Sequence, residues 1–155
     1  METYNVNIIN GSLLDAPHSV CGHVANCFNT MGSGVALALR NKWPEVYNAD
    51  CRTKRGDRNK LGTFSIAQIQ SNPDRYVLNN YAQYCYGREK RHLDYEYLYQ
   101  CLEKNLTFLR EKSLTSIAYP YDMGSVNSGG HFRVVFSMIE LVFHGSEIDV
   151  GIYKL

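Results

Sequence analysis

The 155-residue sequence lacks several features that would assign it to a protein class at once. It has no pair of cysteines spaced as CxxC, which argues against a thiol-based metal or redox motif. No stretch approaches the roughly 18 apolar residues of a membrane-spanning helix, so we expect no membrane partner. The N-terminus has no basic segment followed by a long apolar run, so we expect no signal peptide.

Charge of one sign is also missing. Lysine and arginine number 16 against 15 aspartate and glutamate residues, which gives a net charge of +1. Wholesale nucleic-acid binding relies on a strongly basic face, so we do not expect a nucleic-acid partner. The five cysteines are an odd number and are interpreted as reduced thiols of a cytoplasmic protein. No cluster of histidine, cysteine and carboxylate has ligand spacing, so we expect no metal and no cofactor.

The hydrophobic pattern predicts an α/β fold in one domain spanning residues 1–155. Strands are predicted up to Gly11 and over 19–26, 63–70, 76–83, 116–119 and 148–153. Helices are predicted over 35–42, again from Pro44, from a cap at Asp94 to about residue 112, and over 134–143. Strands interleaved with helices favour a sheet between two helical layers. The basic stretch 52–60 is interpreted as a solvated connection.

Two junctions between a predicted strand and the next helix carry glycines: Gly32-Ser33-Gly34 and the segment 124–130. Helix starts offer unpaired N–H groups and a positive dipole end, and glycine lets a ligand approach the backbone closely. Each junction is therefore a candidate phosphate site, with tight-turn packing as the alternative. Neither matches GxGxxG or GxxxxGK[ST].

Asparagines flank the first junction. The amides of Asn26 and Asn29 can donate and accept hydrogen bonds, so they suit a sugar hydroxyl or a phosphate oxygen. The alternative is that they close the turn by bonding to the backbone. Either role is open to each residue.

The whole pattern resembles the macro domain, an ADP-ribose-binding fold. The segment HxxNCFxxxGxGxA (residues 23–36) is followed by a helix containing Trp43-Pro44, and Pro120-Tyr121, Gly124, Gly129-Gly130 and Phe132 are similar to the family segment PY..GCGLAGG.W. The closing strand ends in Ile152-Tyr153-Lys154-Leu155, as in compact macro domains. The likeness is greatest to the small ADP-ribose-1''-phosphatase branch, which includes viral versions. It implies an α/β/α domain with a mixed central sheet, in the host cytoplasm if the protein is viral.

The resemblance also implies a ligand layout. Gly32, Ser33 and Gly34, with Val35 beside them, would line the distal ribose and a phosphate, and Asn26 would contact that ribose. The adenine would lie near the end of the first strand, at Gly11 and Ser12, where the family often has Gly-Asp. The second loop would wrap the diphosphate with Gly124, Ser125, Val126, Asn127, Ser128, Gly129 and Gly130.

Hydrolysis needs an activated water and stabilisation of the departing group. The catalytic candidates are His23, Asn26, Asp122 and His131. The alternatives are a packed strand histidine for His23, a loop cap for Asp122, and a solvent-facing helix start for His131. Gln83 is predicted to contact the ligand. It lies about where the terminal ADP-ribose protein glycohydrolase, a more distant relative in the family that the chain resembles, has a lysine, and glutamine cannot form a Schiff-type adduct.

Three functions remain open. The first is hydrolysis of ADP-ribose derivatives, with ADP-ribose-1''-phosphate as the leading substrate. The second is a binding module that sequesters ADP-ribose or a related signalling nucleotide without chemistry. The third is removal of ADP-ribose from protein or nucleic acid. The implied partner is in each case an ADP-ribose derivative; the oligomeric state is left open.

Overall fold

A six-stranded mixed sheet forms the centre of the computed structural model, which describes residues 5–87, 90–123 and 129–155. The strands in these ranges are β1 (Val6–Asn10), β2 (Val20–Asn26), β3 (Phe64–Gln70), β4 (Arg75–Gln83), β5 (Ser116–Pro120) and β6 (Asp149–Lys154). They lie in the order β1-β6-β5-β2-β4-β3. Only the β3–β4 pairing is antiparallel. The carboxyl ends of the other five strands therefore share one edge of the sheet.

Two long helices cover one face of the sheet. α3 (Tyr95–Glu111) begins at Asp94, whose carboxylate accepts hydrogen bonds from the amides of Glu96 and Tyr97. α4 (Phe132–Phe143) lies beside it. The apolar stripe of each helix packs on the sheet, as helical periodicity predicts. The buried stripe residues are Leu98, Leu102 and Leu109 on α3 and Val135, Ile139 and Phe143 on α4.

Two shorter helices cover the other face. α1 (Gly34–Lys42) ends at Trp43, and Pro44 restarts the chain as α2 (Pro44–Cys51). Proline suits a first helical position because its missing N–H would have no partner there. Leu39, Val46 and Ala49 pack against small sheet residues such as Ala67 and Ala118. The three-layer α/β/α fold with a mixed sheet is thus confirmed.

Element bounds agree with the sequence prediction to within one or two residues. Asn79 and Asn80 are neighbours on β4 and point to opposite faces of the sheet, as strand alternation requires. Asn79 accepts from His23 on the α1–α2 side, whereas Asn80 accepts from Asn105 of α3 at 2.8 Å. In the described ranges, no helix combines the length and apolar character needed to cross a bilayer.

The basic stretch 52–60 differs in one respect from the prediction. Arg52, Lys54, Arg55 and Arg58 are exposed, as expected of a solvated connection. Lys60 is not, since only 7% of it is accessible to solvent. Its ammonium group donates hydrogen bonds to the side chains of Asn29, in the segment that follows β2, and of Thr53.

Candidate functional site

A cleft of about 610 Å³ opens at the shared edge of the sheet. The carboxyl ends of β2, β4 and β5 and the start of α1 surround it. Ligands of open α/β sheets bind at such an edge, where the strand order changes direction. The cleft is lined by His23, Val24, Ala25, Asn26, Thr30, Gly32, Ser33, Gly34, Val35, Ala36, Gln83, Tyr86, Gly87, Pro120, Asp122 and Met123.

The start of α1 supplies hydrogen-bond donors to the cleft. Ser33 precedes the helix in an extended conformation, and its side chain forms no capping bond within the described ranges. The first intrahelical bond runs from the Leu37 amide to the Ser33 carbonyl at 3.2 Å. The amides of Gly34, Val35 and Ala36 therefore have no helical acceptor, and all three residues line the cleft. Together with the helix dipole they suit a phosphate oxygen.

The two glycines of this junction have different surroundings. Gly34 has φ of +58°, in the left-handed region that side chains rarely adopt. At Gly32, no described residue other than its two chain neighbours has an atom within 4 Å of the place where a Cβ would lie. Gly32 also lines the cleft, and the absence of a side chain leaves its backbone accessible there.

Asn26 lines the cleft and also closes the turn after β2. Its side-chain oxygen accepts from the Phe28 amide at 2.8 Å. Its amide nitrogen donates to the Thr30 carbonyl at 3.2 Å and to the Thr30 hydroxyl at 2.7 Å. The turn-closing role is thus present, and ligand contact by Asn26 stays a prediction.

Asn29 lies outside the cleft lining. It has φ of +57°, and its side chain is directed to the basic stretch. Its amide nitrogen donates to the Thr53 carbonyl at 3.2 Å, and its oxygen accepts from the Lys60 ammonium at 2.9 Å. The geometry gives Asn29 the turn-forming role that was its alternative.

His23 is buried in the sheet, with 1% of it accessible to solvent. Its Nε2 lies 2.5 Å from the Asn79 side-chain oxygen. The Asn79 nitrogen already donates to the Val46 carbonyl and the Ser65 hydroxyl, both at 3.0 Å, so its oxygen is the acceptor and Nε2 carries the proton. Burial lowers the pKa of His23 to about 4. A neutral imidazole that donates its proton to Asn79 is poorly suited to proton transfer at neutral pH.

Asp122 provides an exposed carboxylate at the end of β5, inside the cleft. Gln83 lies opposite, at the end of β4, and donates to the Cys85 carbonyl at 2.9 Å. Tyr86 stands at the mouth, with 53% of it exposed. The cleft thus joins a carboxylate, an amide and an aromatic ring to the helix amides.

Other predicted residues lie elsewhere. His131 caps α4: its Nδ1 accepts from the Arg133 amide at 3.2 Å, and its own amide donates to the Tyr95 hydroxyl at 2.8 Å. The Gly11 amide pairs with the Lys154 carbonyl, and the Ser12 hydroxyl accepts from the Leu14 amide. None of these residues lines the cleft. Gly129 and Gly130 lie just before the cap of α4, also outside the lining.

The residues Gly124, Ser125, Val126, Asn127 and Ser128 lie outside the described ranges. Their contact with a diphosphate stays a prediction. Among the residues that the structure does describe, no group of three or more histidine, cysteine and carboxylate side chains is arranged to hold a metal ion.

Sequence reasoning missed part of the lining. Thr30 and Ala36 flank the first glycine junction, and Met123 follows Asp122. The position of Ala36 in the sequence could have predicted its place in the lining, because the third amide of a helix, like the first, has no acceptor within the helix. Nothing in the pattern pointed to Met123, whose position depends on how the chain leaves β5.

Fold and cleft together define an α/β domain with a helix start that opens into a cleft at the strand ends. The family model described as Macro domain matches residues 23–135. The chain therefore belongs to the macro domain family.

Two known proteins are similar in sequence. An uncharacterized 17.5 kDa protein from the tk-vs intergenic region of Enterobacteria phage T4 is 28% identical over 132 residues, which cover 84% of this chain and 82% of the relative. A DNA ADP-ribosyl glycohydrolase of Thermus aquaticus is 26% identical over 153 residues, or 96% of this chain. The chain spans 41% of the length of that glycohydrolase.

Solved structures share the fold. The macrodomain of Thermus aquaticus DarG superimposes with a TM-score of 0.79 at 22% identity, covering 97% of this chain and 98% of that one. Thermosipho africanus DarTG in complex with ADP-ribose gives a TM-score of 0.77 at 17% identity, covering 97% of this chain and 42% of that one. At these identities the likeness is one of fold.

Proposed function

We propose that the cleft binds an ADP-ribose derivative and hydrolyses it, with ADP-ribose-1''-phosphate as the substrate. The observation that carries the proposal is one cleft that holds both the Asp122 carboxylate and the first amides of α1, which have no acceptor among the described residues. A phosphate at the amides and a water at the carboxylate are the two parts that hydrolysis of a phosphate ester requires. The DarTG structure with ADP-ribose bound supports the ligand class.

In this proposal the amides of Gly34, Val35 and Ala36 bind the phosphate at the 1'' position. Asp122 accepts a proton from a water molecule, whose oxygen forms the new bond to phosphorus. The bond between phosphorus and the 1'' oxygen breaks, and that oxygen leaves with a proton taken from solvent. The helix amides stabilise the charge that develops on the phosphoryl oxygens. Neither His23 nor Gln83 supplies a proton or a nucleophile.

The test is phosphate release from ADP-ribose-1''-phosphate. We expect release by the wild type, a loss of at least about a hundredfold in Asp122→Asn, and no change in Glu103→Gln, an exposed carboxylate on α3. Calorimetry with ADP-ribose against AMP measures binding separately. Binding without phosphate release would identify a module that sequesters the ligand and would contradict the hydrolase.

A second candidate is removal of ADP-ribose from nucleic acid, and the basic stretch 52–60 favours it. This stretch lies next to the cleft, because the Gly56 amide bonds to the Cys27 carbonyl at 2.6 Å. The Arg58 guanidinium lies 3.7 Å from the centre of the Tyr84 ring, which packs edge-on against Phe28. Cations and aromatic rings beside one another suit a single nucleic-acid strand. The Thermus aquaticus relative is named for activity on DNA.

This candidate is tested with a single-stranded DNA oligonucleotide that carries ADP-ribose. If it is correct, free ADP-ribose is released, and Arg58→Gln slows release at low salt more than at high salt. Arg110→Gln, an exposed charge at the far end of α3, serves as the control. No release from the oligonucleotide, together with phosphate release from the small substrate, would decide for the phosphatase.

A further inference from the structure

Lys60 is a buried lysine at the end of an exposed basic stretch. Its ammonium group donates to the Asn29 side-chain oxygen and to the Thr53 hydroxyl, each at 2.9 Å. It also lies 4.8 Å from the centre of the Tyr81 ring, within cation–π range. A lysine is almost never buried unless it is paired in this way.

A carboxylate stands near this group without being bonded to it. Asp50 is buried, and its Oδ1 accepts from the Tyr81 hydroxyl at 2.6 Å. Burial lowers the pKa of Lys60, and the charge of Asp50 acts in the opposite direction. The site therefore holds an ammonium group at a fixed place beneath the segment that joins β2 to α1.

Lys60 contacts that segment at Asn29. Asn29 has positive φ, and its side-chain nitrogen donates to the Thr53 carbonyl. The Tyr47 hydroxyl donates to the backbone carbonyl of Asn29 at 3.3 Å. Asn26 closes the same segment from the cleft side. Two side chains thus bond to the segment: Asn26, which lines the cleft, and Lys60, which does not.

We propose that Lys60 is a positioning residue for the anion-binding start of α1. By holding Asn29 it fixes the path of residues 27–33, and so the place at which the amides of Gly34, Val35 and Ala36 meet a ligand. Lys60 itself does not line the cleft. The consequence for ligand binding rests on the proposed function, whereas the consequence for the segment does not.

The first experiment needs no ligand. Hydrogen exchange is measured at the amides of Phe28 and Gly56, which are bonded to the Asn26 side chain and to the Cys27 carbonyl. We expect Lys60→Met to raise exchange at both by about tenfold and to leave Val150, a buried residue of β6, unchanged. The matched control is Lys54→Met, which removes an exposed charge from the same stretch.

A second variant keeps the inference testable if Lys60→Met does not fold. Asn29→Gly removes the acceptor of the Lys60 bond, and glycine tolerates the positive φ at that position. We expect the same pattern of exchange as in Lys60→Met. The combined effect of the two changes should be smaller than the sum of the separate effects, because both remove the bond between Lys60 and Asn29.

The second experiment uses the ligand. If the segment positions the distal part of ADP-ribose, both variants should weaken ADP-ribose binding by about tenfold and AMP binding much less. A purely structural defect would weaken both ligands alike. If the wild type binds neither ligand, the proposed function fails and the exchange experiment still decides the role of Lys60.

Two results would overturn the inference. One is unchanged exchange at Phe28 and Gly56 in both variants. The other is exchange raised equally at Val150, since Lys60 would then stabilise the whole domain and position nothing in particular.

Discussion

Protonation of His23 should destabilise this protein in mild acid. The imidazole is buried, and its pKa in the folded protein is about 4, against an ordinary value of 6.5 in the unfolded chain. Between these values the unfolded chain binds the proton and the folded protein does not. The free energy of unfolding therefore rises with pH across this window, and it falls as the pH is lowered from about 6.5 to about 4.

The magnitude follows from the difference between the two pKa values. Each unit corresponds to about 1.4 kcal/mol, so the full effect is about 3 kcal/mol at pH 4, of which about 2 kcal/mol is already lost at pH 5. Below pH 4 both states are protonated, and His23 contributes no further loss. A total stability of about 5–15 kcal/mol is usual for such a domain, so the effect is easily measured.

Urea unfolding from pH 4.5 to 7.5 provides the assay, with His23→Gln as the comparison. A glutamine amide can still donate to the Asn79 oxygen, but it does not titrate. Burial also lowers the pKa of His18, but that contribution is present in both proteins and cancels in their difference. We expect the difference in free energy between wild type and variant to shift by about 2 kcal/mol, in favour of the variant, as the pH falls from 7.5 to 5. Parallel stability curves would refute the buried neutral imidazole.

Three further predictions concern single residues. Gly22→Ala should destabilise the domain by about 2 kcal/mol in urea unfolding, because the added Cβ would lie 2.5 Å from Cε1 of the buried Tyr119 ring; an unchanged midpoint would contradict this packing. Gly32→Ala should leave the unfolding midpoint nearly unchanged but weaken ADP-ribose binding in calorimetry, because Gly32 lines the cleft and its added Cβ would meet no described atom beyond its chain neighbours; equal affinity would place the ligand elsewhere. Asp94→Ala should cost about 1 kcal/mol of unfolding free energy, because two amides at the start of α3 lose their acceptor; Asp94→Asn, which retains an acceptor oxygen, should cost much less.

Local chemistry accounts for what the sequence could predict. Asp94 and Pro44 mark helix starts through groups that act within a few residues, and both were placed correctly. The opposite orientation of Asn79 and Asn80 follows from strand geometry alone. The glycine junction before α1 was predictable because strand end, glycines and helix start are contiguous in the chain.

What could not be predicted depends on contacts between distant residues. Lys60 stands in a run of charges that usually marks a solvated connection, and its burial depends on Asn29, 31 positions earlier. The neutral state of His23 is set by its burial in the assembled sheet, and its bonding partner Asn79 lies 56 positions later. The place of His131 at a helix start was predicted from the sequence. Its position outside the cleft lining was not predicted, because it depends on how α4 packs.

The strand order determines how truncation of the chain affects the cleft. The walls of the cleft come from residues 23–36, 83–87 and 120–123, which only the assembled sheet brings together. A chain cut in the turn between β3 and β4 leaves neither fragment with a complete set of walls. Ligand binding at this cleft therefore requires nearly the whole chain. A truncated product that is still visible on a gel will give no signal in a binding assay.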